Sequence, residues 1–502
     1  MDLLAHLSIG LTTALTVANL SYAFLGVLIG TLIGVLPGLG PVATIAMLLP
    51  ATYALEPESA IIMLAGIYYG AQYGGSTTAI LVNLPGESSS IVTCLDGYAM
   101  ARRGRAGAAL AIAAIGSFFA GTVATLLIAA FAAPLSRIAL SFGPAEYFSL
   151  MVLGLIGAVV LAHGSLLKAI AVVALGLLLG MIGPDLEYGI TRFGFGVPEL
   201  ADGLGFIGLS MGLFAFREIV ANLEGGTDRE VFTRKMDGLW LTRSEARQAA
   251  PAVLRGTAIG AVLGVLPGGG ALLSSFASYT LEKRIARDPS RFGEGAIEGV
   301  AGPESANNAG AQTSFVPMLT LGIPTNPTMA MMIGALALHN IQPGPRSMTA
   351  NPELFWGLIA SMWIGNLLLV ILNLPLVGIW VRLLSVPYRM LYPAIILFCL
   401  IGVYTVAGSA FDVWMLVPFA LFGVLLHKLG CEPAPLLLGF TLGPTMEENL
   451  RRALLLSRGD PSVLVTRPIS ALLLAVTAAL VVVVAVPAIR RTRAQVFNEA
   501  DA

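Results

Sequence analysis

Charged side chains are scarce in this chain of 502 residues. Asp, Glu, Lys and Arg make up only 11% of it, against about 25% in soluble domains. Four stretches contain no charged residue at all: 106–136, 354–381, 391–411 and 468–489. Each exceeds the roughly 20 residues that cross a bilayer core as a helix. The chain is therefore predicted to be an all-α polytopic membrane protein with roughly 12 transmembrane segments, not a soluble one.

Cysteine and histidine are also rare. The cysteines are Cys94, Cys399 and Cys431, and the histidines are His6, His163, His339 and His427. The cysteines lack metal-ligand or CxxC spacing, so we interpret them as packing residues. The histidines are scattered, and neither an HExxH motif nor a G-x-S-x-G nucleophile motif is present. We expect neither enzymatic activity nor a cofactor. His163, His339 and Lys168 are candidates for proton-relay groups or for ordinary interfacial residues.

A glycine-proline interruption occurs twice inside apolar sequence. The first is "GVLPGLGPVAT" from Gly34, and the second is "GVLPGGGALLS" from Gly264. Pro and Gly both disrupt helices, and backbone left unpaired in a membrane must be buried in protein or line a cavity. Free carbonyls there would suit Na⁺, whereas the alternative is a simple kink or packing site. The candidate Na⁺ ligands are Pro37, Gly38, Gly40, Pro267, Gly268 and Gly270.

A second, more polar motif is also written twice. "YYGAQYGGSTTAILVNLPGESSS" begins at Tyr68, and "ESANNAGAQTSFVPMLTLGIPTNPT" begins at Glu304. Each copy has a polar cluster, about ten apolar residues and a polar turn with Pro. Ten helical residues rise about 15 Å, half the bilayer core, which predicts a pair of re-entrant hairpins with their polar groups at the midplane.

These motifs supply the candidate substrate-binding residues. The two polar clusters are Gln72, Ser76, Thr77 and Thr78 in the first copy, and Asn307, Asn308, Gln312, Thr313 and Ser314 in the second. The two turns are Asn83, Pro85, Gly86 and Ser88, and Pro324, Thr325, Asn326 and Thr328. The alternative is that the hydroxyls bond to their own helices and the amides link helices.

The polar clusters contain no base, and their only acids are Glu87 and Glu304. An anion would then be bound by dipoles, hydroxyls and amides with help from a bound cation, unless Arg102, Lys168 or Arg346 reaches the site. This composition favours coupling to Na⁺ or H⁺.

The order of the motifs indicates an internal duplication. A third, fainter pair links "GLGFIGLSMG" from Gly203 to "LLGFTLGPTM" from Leu437, at nearly the same distance from each break. The charges reverse between the copies: no Lys or Arg precedes Arg102, whereas "LEKRIARDPSRF" follows the second break. Because Lys and Arg are retained on the cytoplasmic side, the copies are predicted to be inverted, as in secondary transporters.

The predicted organisation has four parts. Residues 1–216 form an N-terminal membrane half, 217–255 a basic cytoplasmic linker, 256–450 a C-terminal membrane half, and 451–502 a last transmembrane helix with a cytoplasmic tail. The tail carries "RRTR" at 490–493, typical of a cytoplasmic stop.

The quoted motifs resemble those of the large membrane subunit (TctA-like) of the tripartite tricarboxylate transporter family. The resemblance rests on "GVLPGLGP", "GIYYGAQYGGSTTAIL", "GVLPGGG", "EGVAGPESANNA" and "LTLGIPTNPT". It implies a secondary transporter of the bacterial inner membrane, driven by an ion gradient, commonly Na⁺, that forms the translocation path for organic carboxylates by alternating access, as an elevator or otherwise. It also implies two protein partners, a small four-helix membrane subunit (TctB-like) and a periplasmic solute-binding protein (TctC-like). The alternatives are a proton-coupled carrier of another small anion and a channel.

Overall fold

The chain folds almost entirely into helices. The structure, a computed structural model, describes residues 3–36, 40–161, 165–185, 190–224, 240–266, 270–344, 347–384 and 388–485. The helices of the N-terminal half are α1 (Leu3–Ala14), α2 (Val17–Gly34), α3 (Pro41–Thr52), α4 (Pro57–Val82), α5 (Ile91–Thr93), α6 (Ala106–Ala139), α7 (Pro144–Leu161), α8 (Leu166–Gly180), α9 (Phe206–Ser210) and α10 (Arg217–Glu224). Those of the C-terminal half are α11 (Arg243–Leu263), α12 (Gly270–Ile285), α13 (Glu298–Thr313), α14 (Phe315–Leu321), α15 (Pro327–Leu338), α16 (Ser347–Ala350), α17 (Pro352–Asn373), α18 (Val377–Leu384), α19 (Tyr388–Ala407), α20 (Ala410–Lys428), α21 (Ala434–Leu456), α22 (Val463–Thr466) and α23 (Pro468–Ala485).

Short irregular elements join these helices. Single 3₁₀ turns occupy Ser88–Ser90, Pro198–Leu200 and Pro289–Arg291, and wider π turns occupy Cys94–Tyr98, Ala101–Arg105 and Met211–Phe216. Within the described residues, the sheet is limited to β1 (Gly183–Pro184) and β2 (Thr191–Arg192), which pair antiparallel with Gly183 opposite Arg192.

Several helices have the length and composition of membrane spans. Among the described residues, four helices are long and apolar enough to cross a bilayer: Val17–Gly34, Ala101–Ala132, Pro352–Asn373 and Ala410–Lys428. Shorter apolar helices of 10–17 residues accompany them, α1, α3 and α15 among them. The fold is therefore that of an all-α membrane protein, while the count of roughly 12 spans remains a prediction.

Glycines bring α2 and α4 into backbone contact. Three glycines at four-residue spacing line each side, Gly26, Gly30 and Gly34 in α2 and Gly66, Gly70 and Gly74 in α4. A Cβ atom at Gly30 would lie 2.3 Å from the carbonyl oxygen of Ile67 in α4. Only Gly allows this approach, which gives membrane helices their close packing.

The helices α11 and α13 pack in the same manner. Gly256 and Gly260 of α11, and its C-cap Gly264, lie against the backbone of α13. A Cβ atom at Gly256 would lie 2.2 Å from the carbonyl oxygen of Gly302. The helix that precedes each glycine-proline break is thus held by backbone contact to the helix that carries the polar cluster.

Both glycine-proline motifs interrupt the helices. The helix α2 ends at Gly34 and α3 begins at Pro41, with Gly40 as an extended N-cap. The second break separates Leu263, the end of α11, from Gly270, the start of α12. Four of the candidate Na⁺ ligands lie outside the described residues, namely Pro37, Gly38, Pro267 and Gly268.

The polar clusters lie in longer helices than the half-depth segments expected from the sequence. The helix α4 runs without a break through the first cluster, and all its residues from Ser59 to Val82 are buried. Its 26 residues extend about 39 Å, enough to cross a bilayer. In the second copy, α13 and α14 are separated at Ser314. Continuous burial on all sides sustains α4 through its glycines and hydroxyl residues.

The predicted linker contains helix at both ends. The helix α10 begins at Arg217, and α11 begins at Arg243 with Thr242 as its cap. Residues 225–239, between them, lie outside the described part of the chain, as does the C-terminal tail from residue 486 with its "RRTR" sequence.

Candidate functional site

The two breaks and the two Pro-containing turns line one cavity. This large cavity of about 430 Å³ is walled by Gly40 and Pro41 after the first break, by Gly270 after the second, and by residues 85–89 and 325–328 of the two turns. Ligand sites for small molecules commonly have volumes of about 300–1,000 Å³. Four segments remote in the sequence thus meet around a space large enough for a small organic molecule.

Within the described chain, four helices of at least 12 residues begin at the wall of the large cavity. They are α3 at Pro41, α12 at Gly270, α15 at Pro327 and α21 at Ala434. A helix N-terminus carries unpaired N–H groups and about half a positive charge from the helix dipole. Asn326 caps α15 by accepting a hydrogen bond from the amide of Met329 at 3.0 Å. The backbone therefore gives this cavity a preference for negative charge.

The two turns have matching backbone conformations. The C-cap of α4 is Asn83 with φ +57°, and the C-cap of α14 is Gly322 with φ +71°, both in the left-handed region. Four residues later, Glu87 and Asn326 are extended N-caps with φ −148° and −153°. The left-handed residue reverses the chain so that the following residues reach the cavity wall. Asn83 and Pro324 themselves do not line it.

Polar groups without partners face the large cavity. Neither amide atom of Gln72 nor the hydroxyl of Thr325 has a hydrogen-bond partner among the described residues. Both side chains line the cavity, with exposed fractions of 1% and 0%. Because a buried polar group without a partner costs about 1–3 kcal/mol, these two are poised to bond a ligand. Gly86, Pro85, Ser88, Asn326 and Thr328 complete the candidate residues on this wall.

Charges of both signs border the large cavity. Arg217, at the start of α10, has Nη2 3.2 Å from Nδ1 of His427, and its Nε has no partner within the described chain. Glu87 accepts hydrogen bonds from the Ser89 hydroxyl and, at 3.3 Å, from Nδ2 of Asn307. Glu432 also lines the wall. A guanidinium thus shares the cavity with two carboxylates.

Ser76 and Thr77 line a second, small cavity of about 20 Å³, together with Glu304 and Ser117. The Ser76 hydroxyl donates to Oε2 of Glu304 at 2.7 Å, and the Thr93 hydroxyl donates to Oε1. Glu304 is 1% exposed. The first and second polar clusters therefore meet at this carboxylate.

The remaining cluster residues connect helices. Thr78 donates to the carbonyl of Val35 at 2.8 Å, and Ser314 donates to the carbonyl of Gly264 at 3.2 Å. Each hydrogen bond therefore connects the polar cluster to the C-terminal end of the helix that precedes a break. Thr313 reaches the carbonyl of Gly260 at 3.3 Å.

Two amides of α13 point away from the large cavity. Asn308 donates to the Ser117 hydroxyl at 2.6 Å, and Gln312 lies 3.5 Å from Oδ1 of Asn366. These contacts match the alternative in which amides link helices.

Gly40 and Gly270 are the two candidate Na⁺ ligands among the described residues, and their carbonyl oxygens already accept hydrogen bonds. The carbonyl of Gly40 accepts from the amide and hydroxyl of Thr44, and that of Gly270 accepts from the Ser274 hydroxyl at 2.7 Å. Among the other basic candidates, Lys168 donates to the carbonyl of Leu429 at 2.5 Å. Arg102 is exposed, and His163 and Arg346 lie outside the described residues.

Sequence reasoning missed Tyr68, Arg217 and Glu432 as residues of the cavity wall. The sequence places Arg217 in the predicted basic linker, although it lies only five residues after the end of the motif that begins at Gly203. The glycine spacing in α2 and α4 predicts the contact between these helices, since small residues at four-residue intervals are typical of closely packed membrane helices.

Fold and site together define a polytopic α-helical membrane protein with a polar cavity where the two glycine-proline breaks meet the two Pro-containing turns. The family model described as "Tripartite tricarboxylate transporter TctA family" matches residues 20–438, and the chain belongs to this family. It is thus a subunit of a multi-pass membrane transporter, in a family whose systems also contain TctB and TctC components.

Two relatives come from Agrobacterium vitis. The "Uncharacterized 52.8 kDa protein in TAR-I ttuC' 3'region" is 59% identical over 501 residues, the full length of both chains. The "Uncharacterized protein in TAR-II ttuC' 3'region" is 60% identical over 242 residues, which cover 48% of this chain and all of that protein. No solved structure gives a significant match.

Proposed function

We propose that this chain forms the translocation path for an organic carboxylate of the tricarboxylate or dicarboxylate class, and that it couples the passage of this substrate to a cation. The observation that carries the proposal is the large cavity. Four helix N-termini begin there, and the unpartnered Gln72 amide and Thr325 hydroxyl line it. Carboxylate oxygens would complete these hydrogen bonds, and Arg217 would supply a charge-assisted contact.

Coupling to a cation follows from the other charges at the site. A carboxylate substrate that enters beside Glu87 meets like charge in a space of low dielectric, which is unfavourable. A cation that enters with the substrate removes this penalty. The energy of an ion gradient would thereby be used to load the site.

Alternating access is the mechanism that the paired elements support. Each break is followed by a helix N-terminus and each cluster by a left-handed turn, so the cavity is built from corresponding parts of the two halves. Inverted copies around one central site are a common design of secondary transporters. We propose that the parts that carry the motifs move against the rest, as an elevator or by rocking.

The partners are proposed from family membership. A TctB-like small membrane subunit would accompany this chain in a bacterial inner membrane, with the C-terminus in the cytoplasm. A TctC-like periplasmic protein would deliver the substrate.

A second candidate is a proton-coupled carrier of another small anion. It is favoured by Glu87, whose carboxylate lines the cavity and could carry a proton. A channel would pass its ion without gradient coupling and without saturation.

Uptake into proteoliposomes tests the proposal. The chain and its small membrane partner are reconstituted, and uptake of labelled citrate and of dicarboxylates is measured with and without the binding protein and a Na⁺ gradient. We expect saturable uptake that requires both. Thr325→Val, which removes one hydroxyl, and Gln72→Leu should each lower uptake about tenfold or more.

Thr12→Val is the matched control, because Thr12 is exposed on α1 and its hydroxyl bonds only to carbonyls of its own helix. Uptake driven by a pH gradient alone would favour the proton-coupled alternative. Normal uptake by both cavity variants would remove this cavity from the transport path.

A further inference from the structure

The small cavity has unusual chemistry for its size. Its one charged group is the Glu304 carboxylate, which is 1% exposed and has no ion pair with any Lys, Arg or His in the described part of the chain. Both carboxylate oxygens accept hydroxyl hydrogen bonds, from Ser76 and Thr93. An ionised carboxylate so deeply buried requires a compensating charge.

The remaining wall offers neutral oxygen atoms. Asn373 is 6% exposed, and its Nδ2 donates to the carbonyl of Leu369 at 2.9 Å, whereas its Oδ1 has no partner within the described residues. The Thr77 hydroxyl donates to the carbonyl of Tyr73 at 3.1 Å. The hydroxyl protons of Ser76 and Thr77 are thus already used, which leaves oxygen lone pairs for a cation.

We infer that the small cavity binds one dehydrated monovalent cation, with Na⁺ as the occupant and Glu304, Ser76, Thr77 and the Oδ1 of Asn373 as its ligands. Hard cations prefer carboxylate, carbonyl and hydroxyl oxygens. One carboxylate balances a single positive charge, which matches a monovalent ion. The volume of about 20 Å³ admits one occupant of the size of a water molecule.

The site is connected to the large cavity through two helices. On α4, Ser76 lies one turn beyond Gln72, whose amide faces the large cavity. On α13, Glu304 lies one turn before Asn307, which bonds to Glu87 at 3.3 Å. A cation that draws Ser76 and Glu304 together therefore fixes the helices that place Gln72 and Glu87 at the wall. Its role as the coupling ion rests on the proposed function, whereas its binding does not.

Thermal unfolding of the purified full-length chain in detergent tests the binding without any substrate. The melting temperature is measured against NaCl, with N-methyl-D-glucamine chloride replacing it at constant ionic strength. A ligand that binds the folded state raises the melting temperature in a saturable way. We expect this Na⁺-dependent rise in the native chain and its loss in Glu304→Gln.

Two further variants keep the Glu304 carboxylate and distinguish a loss of Na⁺ binding from a folding defect of Glu304→Gln. Asn373→Leu and Thr77→Val should fold. In each, the NaCl concentration that gives half of the maximal rise in melting temperature should increase about tenfold or more. Glu298→Gln is the matched control, since Glu298 lies at the start of the same helix and pairs with Arg291 at 3.1 Å. It should respond to Na⁺ as the native chain does.

A melting temperature indifferent to Na⁺ in the native chain, or an unchanged Na⁺ response in folded Asn373→Leu and Thr77→Val, overturns the inference. A response to pH in place of Na⁺, abolished by Glu304→Gln, also overturns it and assigns Glu304 a proton. Na⁺ binding without carboxylate uptake would support the cation site and contradict the proposed function. Na⁺-driven carboxylate uptake that persists in folded Glu304→Gln would support the proposed function and contradict the cation site.

Discussion

The Tyr279 hydroxyl donates a hydrogen bond to Oδ2 of Asp96 at 3.0 Å, across 183 residues of sequence. The other oxygen of Asp96 accepts from the backbone amides of Gly293, Gly295 and Ala296 at 2.7–3.0 Å. Asp96 is fully buried. A single carboxylate of the N-terminal half thus anchors the loop that leads into α13.

Replacing Asp96 should destabilise the fold strongly. In Asp96→Ala three backbone amides and one hydroxyl lose their acceptor, and we expect a loss of about 3 kcal/mol or more. Tyr279→Phe removes one of the four hydrogen bonds and should cost about 1 kcal/mol. Thermal unfolding in detergent compares the two variants. Equal effects would contradict the assignment of Asp96 as the shared anchor.

Adding one methyl group between α2 and α4 should also be costly. Gly30→Ala places a Cβ atom 2.3 Å from the Ile67 carbonyl oxygen, and overpacking of this kind costs about 1–3 kcal/mol. Gly378→Ala on α18 is the control, because a Cβ atom there has nothing within 4 Å. The melting temperature should fall in the first variant only.

Arg217 should govern affinity for the carboxylate. Arg217→Ala removes the guanidinium from the large cavity and should raise the KM for uptake about tenfold or more, since a charge-assisted hydrogen bond contributes about 1.5–3 kcal/mol. Arg217→Lys should recover part of this loss. Arg247→Ala, on the exposed face of α11, serves as the control. An unchanged KM in Arg217→Ala would exclude a contact between this side chain and the substrate.

The cap of α11 should make stability sensitive to acid. The backbone amide of Thr242 donates to Glu245 at 2.8 Å, and this bond, together with Arg105, lowers the pKa of Glu245 below its usual value. A carboxyl group with a depressed pKa stabilises the fold above its unfolded pKa of about 4.3, and this contribution disappears as the pH falls through the folded value.

Glu245→Gln removes that contribution. The native chain should therefore melt higher than the variant at pH 7, and the gap should narrow below about pH 4.3. A gap that stays constant down to pH 3 would show that the charge of Glu245 adds nothing.

The predicted inversion of the two halves can be tested with single cysteines. Ala54 and Asp288 are exposed in the loops that follow the corresponding helices α3 and α12. In a chain freed of its three cysteines, Ala54→Cys should react with an impermeant thiol reagent from outside, and Asp288→Cys only after the membrane is opened. Labelling of both positions from the same side would rule out inverted copies.

The sequence predicts local features of this fold better than distant contacts. The breaks after Gly34 and Leu263 follow from Gly and Pro, whose backbone preferences act within a few residues. The turns near Asn83 and Gly322 follow in the same way. The substrate-site candidates from Gln72 to Thr328 divide between the large cavity, the small cavity and contacts between helices. Preferences that act within a few residues do not predict which of these three environments a candidate occupies.

The contacts of Glu304 and Arg217 illustrate why. Glu304 meets Ser76 from a position 228 residues away, and the packing of α4 against its neighbours decides which turn of the helix faces it. Arg217 appears in a basic stretch that resembles a solvated linker, yet the start of α10 directs it to the cavity wall. Both the contact of Glu304 with Ser76 and the position of Arg217 at the cavity wall depend on tertiary packing, which cannot be inferred from a single sequence.

The four helix ends at the large cavity have a consequence for how such carriers diversify. Their attraction for anions belongs to the peptide backbone, so that part of it neither titrates nor disappears when a side chain is replaced. Side chains along the wall, such as Tyr68 and Phe214, are then free to change in size and shape. Under the proposed function, related carriers can acquire new acids as substrates while the architecture keeps the sign of the substrate's charge fixed.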